Sequence, residues 1–185
     1  MDTHPDSADG LVTVCESPRL RLVQFSDVHA PFVLQLLTDP AFVQNIGDRG
    51  VHTIEDARNY IATGPRASYQ QFGFGLYLVQ LKQPERPIGM CGLLRRDWHP
   101  DVELGFAFLP AGRGQGYATE AAQATLDLGR RSFGLRRFVA VTSLDNQGSI
   151  RVLEKLGFRF EREISRAPQE RASKFFVLDD STTQT

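Results

Sequence analysis

The feature that most restricts the fold of this 185-residue chain is a strand-like segment that runs into a glycine-rich turn and then into a small-residue helix. Val102, Leu104, Phe106 and Phe108 alternate with Glu103, Gly105 and Ala107, the period-two pattern of a strand, and Pro110 ends it. The turn Arg113-Gly114-Gln115-Gly116-Tyr117-Ala118-Thr119 follows, and Ala118, Ala121, Ala122, Thr125, Leu126 and Phe133 then recur at helical spacing. Glycines leave backbone N–H groups open to close approach, and a helix start adds partial positive charge, so this segment predicts a phosphate or pyrophosphate site. A plain strand-to-helix connection is the alternative. Two nucleotide motifs are excluded. No Gly-Lys-Ser/Thr ends the turn, and the spacing of Gly112, Gly114 and Gly116 does not fit the dinucleotide fingerprint.

A second signal lies about thirty residues downstream. Asn146 is suited to cap a helix whose apolar stripe is Ile150, Leu153 and Leu156, and Gly157 suits the left-handed position after it. Phe138 to Thr142 reads as a strand between the two helices, and Phe158 restarts a strand pattern. The order is strand, glycine turn, helix, strand, capped helix, strand.

Arg113-x-x-Gly116-x-Ala118 resembles the acetyl-CoA signature of the GNAT acetyltransferase superfamily. Gly114 to Ala121, Asn146-x-x-Ser149-x-x-x-Leu153-Glu154-Lys155-x-Gly157-Phe158 and the opening Glu16-Ser17-Pro18-Arg19-Leu20-Arg21-Leu22 resemble its ribosomal-protein N-terminal acetyltransferase branch. The resemblance spans about Cys15 to Leu178. It implies an α/β fold with a mixed, mainly antiparallel central sheet flanked by helices, and acetyl-CoA as co-substrate. The activity it implies is acetyl transfer to a primary amine by direct attack within a ternary complex. The acceptor is either a protein N-terminal α-amine or a small amine such as an amino acid, polyamine or drug. Leu153 stands where many members carry a proton-donating tyrosine, so a non-catalytic acyl-CoA sensor is the competing reading.

The same resemblance assigns roles to individual residues. Backbone N–H groups of Gly114, Gly116, Tyr117 and Ala118 would hold the pyrophosphate, with the Thr119 hydroxyl as a further donor. Arg113 is either a phosphate ligand or a solvated surface cation. The strand edge Phe106 to Leu109, including Phe108, would pair with the amides of the pantetheine arm. Asn146 either contacts that arm, caps its helix, or does both. Ser149 is the candidate acid or hydrogen-bond donor for the departing thiolate, or else a capping-box residue.

The amine must be neutral to attack. At pH 7 this costs about 4.6 kcal/mol for a lysine and about 1.4 kcal/mol for an α-amine, at ~1.36 kcal/mol per pH unit. A carboxylate acting through water suffices for the second. Glu103 leads as general base, ahead of Asp101 and His99; its alternative is an outward, solvated strand residue. Trp98, Tyr60, Phe32 and Arg49 are candidates for the acceptor pocket.

The formal charge of −1 argues against a nucleic-acid binder. Cys15 and Cys91 read as buried thiols in a reducing compartment rather than a disulfide, and the four histidines have no metal-ligand spacing. No metal, no membrane and a cytoplasmic location are therefore expected. Dimerisation through sheet edges or the early helices stays open. One domain over residues 13–178 is expected between loose tails at 1–12 and 179–185. Its remaining elements are a first strand at Leu20 to Gln24 and helices at Asp27 to Leu37, Pro40 to Ile46 and Thr53 to Ala62. Strands at Gly73 to Leu81, Ile88 to Arg95, Asp101 to Leu109, Phe158 to Ile164 and Ser173 to Leu178 complete the reading.

Overall fold

An eight-stranded sheet forms the centre of the computed structural model, which describes residues 11–165 and 171–180. In chain order the elements begin with β1 (Thr13–Glu16), β2 (Leu20–Val23), a 3-10 turn (Asp27–His29), α1 (Ala30–Leu37), α2 (Pro40–Ile46) and α3 (Ile54–Ile61). A wide π turn (Ala62–Arg66) leads into α4 (Ala67–Phe72), followed by β3 (Leu76–Lys82), β4 (Glu85–Arg96) and β5 (His99–Phe108). The rest is α5 (Tyr117–Phe133), β6 (Arg137–Ser143), α6 (Gln147–Lys155), β7 (Arg159–Ile164) and β8 (Ser173–Asp179). The spatial order is β1-β2-β3-β4-β5-β6-β8-β7, and among the described residues β5–β6 is the one parallel pair in a sheet otherwise antiparallel.

Alternation along the strands sends side chains to two cores. Tyr77, Val79 and Leu81 of β3 join Ala121, Ala122 and Leu126 of α5 on one face. Leu76 and Leu78 join Val33, Leu36 and Leu37 of α1 and Ala57 and Ile61 of α3 on the other. At Gly129 a Cβ would meet the Phe138 ring at 2.9 Å and Leu93 at 3.1 Å, so α5 packs on the sheet closer than any side chain there would allow.

The short helices start where side-chain oxygens can take up free backbone donors. Asp39 accepts from the N–H groups of Ala41 and Phe42, and Thr53 and Asp56 form a reciprocal capping box. The expected stop at Ala62 is wrong in kind. Gly64-Pro65 does not break the helix; the wide turn accommodates the buried Pro65, and helix resumes until Gly73.

Other boundaries differ from the sequence reading: Gly73, expected to open a strand, ends α4 instead, and β3 begins only at Leu76. β1 precedes the expected first strand, paired with β2 at the sheet edge. The expected loop at 83–87 is mostly strand, since β4 begins at Glu85 and Pro87 sits opposite Gln80. Pro87 is tolerated because pairing with β5 begins only beyond it, at Ile88 and Gly89. At the far end, Asp179 is the last residue of β8 and pairs with Arg137, and Asp180 accepts from Arg130 at 2.6 Å. Residues 1–10 and 181–185 of the expected tails lie outside the described residues. Both thiols are free, Cys91 buried and Cys15 half-buried.

Candidate active site

β5 and β6 pair only at Val102 with Phe138 and Glu103 with Val139. Beyond that point β5 stays with β4 and β6 stays with β8, so the sheet splits. A cavity of about 860 Å³ opens in the split, with Phe106 and Phe108 on one wall and Ala140, Val141 and Thr142 on the other. The Leu109 N–H donates to Ile88 at 2.9 Å, toward β4. Strand alternation therefore turns the backbone groups of Phe106 and Phe108 to the open side. Leu109 itself does not line the cavity and packs against the helix-side core.

The glycine turn closes one end. Gly114 (φ 72°) and Gly116 (φ 80°) adopt left-handed backbone that L side chains rarely take. No side chain caps α5, and its first helical bond runs from the Glu120 N–H to Gly116. The N–H groups of Tyr117, Ala118 and Thr119 are thus left without helical acceptors. Gly114, Gly116, Ala118 and Thr119 line the cavity. Tyr117 does not: its ring lies under the Arg19 guanidinium, 4.5 Å away.

Two arginines brace this end. Arg19 binds the Glu120 carboxylate at 2.6 Å and the Gln115 carbonyl at 3.1 Å, and Ser17 also donates to Glu120. Burial would raise the Glu120 pKa, but the Ser17 and Arg19 hydrogen bonds and the Arg19 charge outweigh it and lower the value. Arg113 lines the cavity but is not free. Its guanidinium donates to the Phe108 carbonyl at 2.8 Å and to Asp39, tying the start of α2 to the glycine turn.

On the opposite wall, Asn146 caps α6 by accepting from the Ser149 N–H at 3.1 Å. This cap typically contributes about 1 kcal/mol. No capping box forms, and the half-buried Ser149 hydroxyl lines the cavity without a partner among the described residues. Leu153 is buried and packs in the core. Arg151 and Lys155 line the cavity from the same helix, and no carboxylate pairs with either among the described residues.

Glu103 lies on the order of 16 Å along β5 from Phe108. It is 7% exposed, so the outward, solvated alternative is excluded. Both its oxygens sit 3.3 Å from the Arg96 guanidinium, longer than the ~2.7–2.9 Å of a tight charged pair. Asp101 is instead engaged by Arg137 at 2.9 Å, and His99 accepts from the Asp101 N–H at 3.0 Å; neither lines this cavity. Tyr60 and Arg49 do line it, while Phe32 is buried in the core. Burial raises the Tyr60 pKa against the opposing charges of Arg49 and Arg96, which keeps the phenol protonated. Trp98 borders an adjoining hollow with Phe72, Arg95 and Arg96.

The sequence model of the acetyltransferase (GNAT) domain matches residues 19–159. The chain belongs to the GNAT family of N-acetyltransferases. The uncharacterized N-acetyltransferase YnaD of Bacillus subtilis is 30% identical over 142 residues, 77% of this chain and 79% of YnaD. A GNAT acetyltransferase from Bacillus anthracis superposes with a TM-score of 0.75 at 26% identity, covering 90% of this chain and 98% of its own. The ribosomal L7/L12 α-N-protein acetyltransferase RimL, in complex with coenzyme A, shares the fold with a TM-score of 0.76 at 21% identity, covering 92% and 98%.

Within this GNAT fold the two motifs read from sequence converge on one cavity, with Glu103 at its base. Sequence reasoning missed the Arg96 partner of Glu103, the Asp39 partner of Arg113, and the wall formed by Thr63, Pro65, Ser68 and Gln71. The β4–β5 hairpin carried a signal for the first, since its register puts Leu94 opposite Glu103 and Arg96 only two residues further toward the turn. The other two had none, because their partners are far apart in the chain. Among the described residues no group of three or more His, Cys, Asp or Glu forms a metal site, and no helix is long and apolar enough to cross a membrane.

Proposed function

We propose that this chain transfers the acetyl group of acetyl-CoA to a primary amine by direct attack within a ternary complex, and that a peptide N-terminal α-amine is the favoured acceptor. The observation that carries the reading is the split between β5 and β6, whose β5 edge is open at Phe106 and at the Phe108 N–H, the Phe108 carbonyl being held by Arg113, and which leads to the uncapped start of α5. Extended backbone on one side and unpaired N–H groups on the other suit a ligand that joins an amide-bearing arm to a pyrophosphate. Arg151 and Lys155 supply unneutralised charge for further phosphate at that end.

Acetyl-CoA, when bound, supplies the thioester from which the acetyl group passes to nitrogen as the C–S bond breaks, with CoA leaving as a thiolate that takes its proton from solvent. Glu103 removes the proton from the acceptor, directly or through one water, with Arg96 holding the carboxylate in place. Ser149 donates a hydrogen bond to the departing sulfur, a role open to its unpartnered hydroxyl. Neither cysteine lines the cavity, so an acetyl-cysteine intermediate is not part of the scheme. Two free thiols fit a reducing, cytoplasmic setting.

The test is acetyl-CoA-dependent thiol release against peptides with free N-termini, an N-blocked lysine peptide, free amino acids and polyamines, with products confirmed by mass. Turnover greatest on free N-termini is expected. Strong turnover only on small amines would reassign the acceptor, and binding of acetyl-CoA without transfer to any amine would favour the sensor.

A further inference from the structure

The charge on the cavity wall is one-sided. Among the described residues its cations are Arg49, Arg95, Arg96, Arg113, Arg151 and Lys155, and its one carboxylate is Glu103. Arg96 is matched by Glu103 and Arg113 by Asp39. Arg151 and Lys155 belong to the wall assigned above to acetyl-CoA. Arg49 and Arg95 remain, both exposed at the cavity surface, Arg49 close enough for its charge to act on Tyr60 and Arg95 next to Arg96 in β4, and no carboxylate pairs with either among the described residues. Asp97 borders only the adjoining hollow.

We infer that the acceptor carries a carboxylate close to its amine, and that Arg49 and Arg95 are the side chains that bind it. This rests on the N-acetyltransferase reading above and narrows its acceptor. A purely cationic acceptor such as a polyamine would enter against two uncompensated guanidiniums. An acceptor bearing a carboxylate arrives as a zwitterion, and its anion finds donors that bind carboxylates in a forked geometry. The same positive field favours the neutral form of the amine, which is the nucleophile. Arg49 and Arg95 therefore both anchor the acceptor and ease its deprotonation. The adjoining hollow, lined by Phe72, Arg95 and Trp98 among others, gives room for acceptor residues beyond the first.

The experiment compares acceptors of matched shape with and without a carboxylate, with rates compared for the neutral form of each amine. N-terminal Ser-Asp and Ser-Asn peptides with amidated ends form one pair, and free amino acids with their amides form the other. These arms separate a peptide side chain from a free α-carboxylate as the source of the anion. We expect kcat/KM about 10-fold or more higher for the carboxylate member of at least one pair, shrinking as salt is raised. In the double variant Arg49→Gln, Arg95→Gln, the advantage should fall below about 3-fold, with KM for acetyl-CoA unchanged.

Trp98, the single tryptophan, gives a readout independent of turnover. Its fluorescence should change on titrating the Ser-Asp peptide into CoA-loaded protein, with a weaker apparent affinity in the double variant. Equal turnover within both pairs, or an advantage that survives in the double variant, overturns the inference and leaves the N-acetyltransferase reading standing. Acetyl-CoA binding with no transfer to any amine removes that reading, and the inference with it.

Discussion

The two ends of the cavity are built from different parts of the chain. The end with the glycine turn is made mostly of backbone: left-handed Gly114 and Gly116, the free N–H groups that open α5, and the strand edge of Phe106 and Phe108. The end with Glu103 is made of side chains from separate elements: Arg49 after α2, Tyr60 of α3, Arg96 of β4 and Glu103 of β5. Backbone donors suit a ligand that every member of a family shares, because they survive almost any side-chain change around them. Side chains set the charge and shape that tell one acceptor from another. The mutational sensitivity of the two ends should differ accordingly.

The largest expected effect is at the side-chain end. Glu103→Gln keeps the shape and removes the proposed base, so kcat should fall about 10²–10³-fold with KM for acetyl-CoA little changed. An unchanged kcat would take Glu103 out of the reaction and break the contrast. At the backbone end the sensitive change is the addition of a Cβ. Gly116→Val forces a β-branched residue to φ 80°, which should cost about 1–3 kcal/mol of stability and raise KM for acetyl-CoA about 10-fold. A normal KM would mean that the turn does not hold the ligand.

A hydroxyl on the opposite wall sharpens the comparison. Ser149→Ala should lower kcat about 10-fold and leave the melting temperature within a degree or two, because Asn146 caps α6 through the Ser149 backbone and not its side chain. A clear loss of stability without loss of rate would return Ser149 to a structural role.

The smallest effect concerns the brace behind the glycine turn. Glu120 has a folded pKa below its unfolded value, so its contribution to stability is present above the unfolded pKa and is lost as pH falls through the folded one. Glu120→Gln should therefore lower the melting temperature by a few degrees at pH 7, as for a partly buried pair with hydrogen-bonded partners, and by progressively less below about pH 4. A pH-independent difference would show that the carboxylate charge is not what holds Ser17 and Arg19.

The residues bear out this division of what can be read in advance. The glycine turn, the strand before it, the Asn146 cap and the helix start at Thr53 all depend on neighbours within about four residues, and each was legible. The run from Ala62 to Phe72 was not, because Gly64-Pro65 is a local stop signal that packing of the buried Pro65 overrides. Arg113 was legible as a residue of the motif but not as the partner of Asp39, which lies 74 positions earlier.

By itself, then, the sequence determined the local units and their order, since periodicity, capping and left-handed glycines are properties of short stretches of chain. The tertiary structure alone decided where β5 and β6 part, which carboxylate the split exposes, and which arginines are left without a partner. Those outcomes depend on contacts between elements distant in the chain. Pairing a charge with one of them, as Arg96 pairs with Glu103, changes what every unpaired neighbour can do.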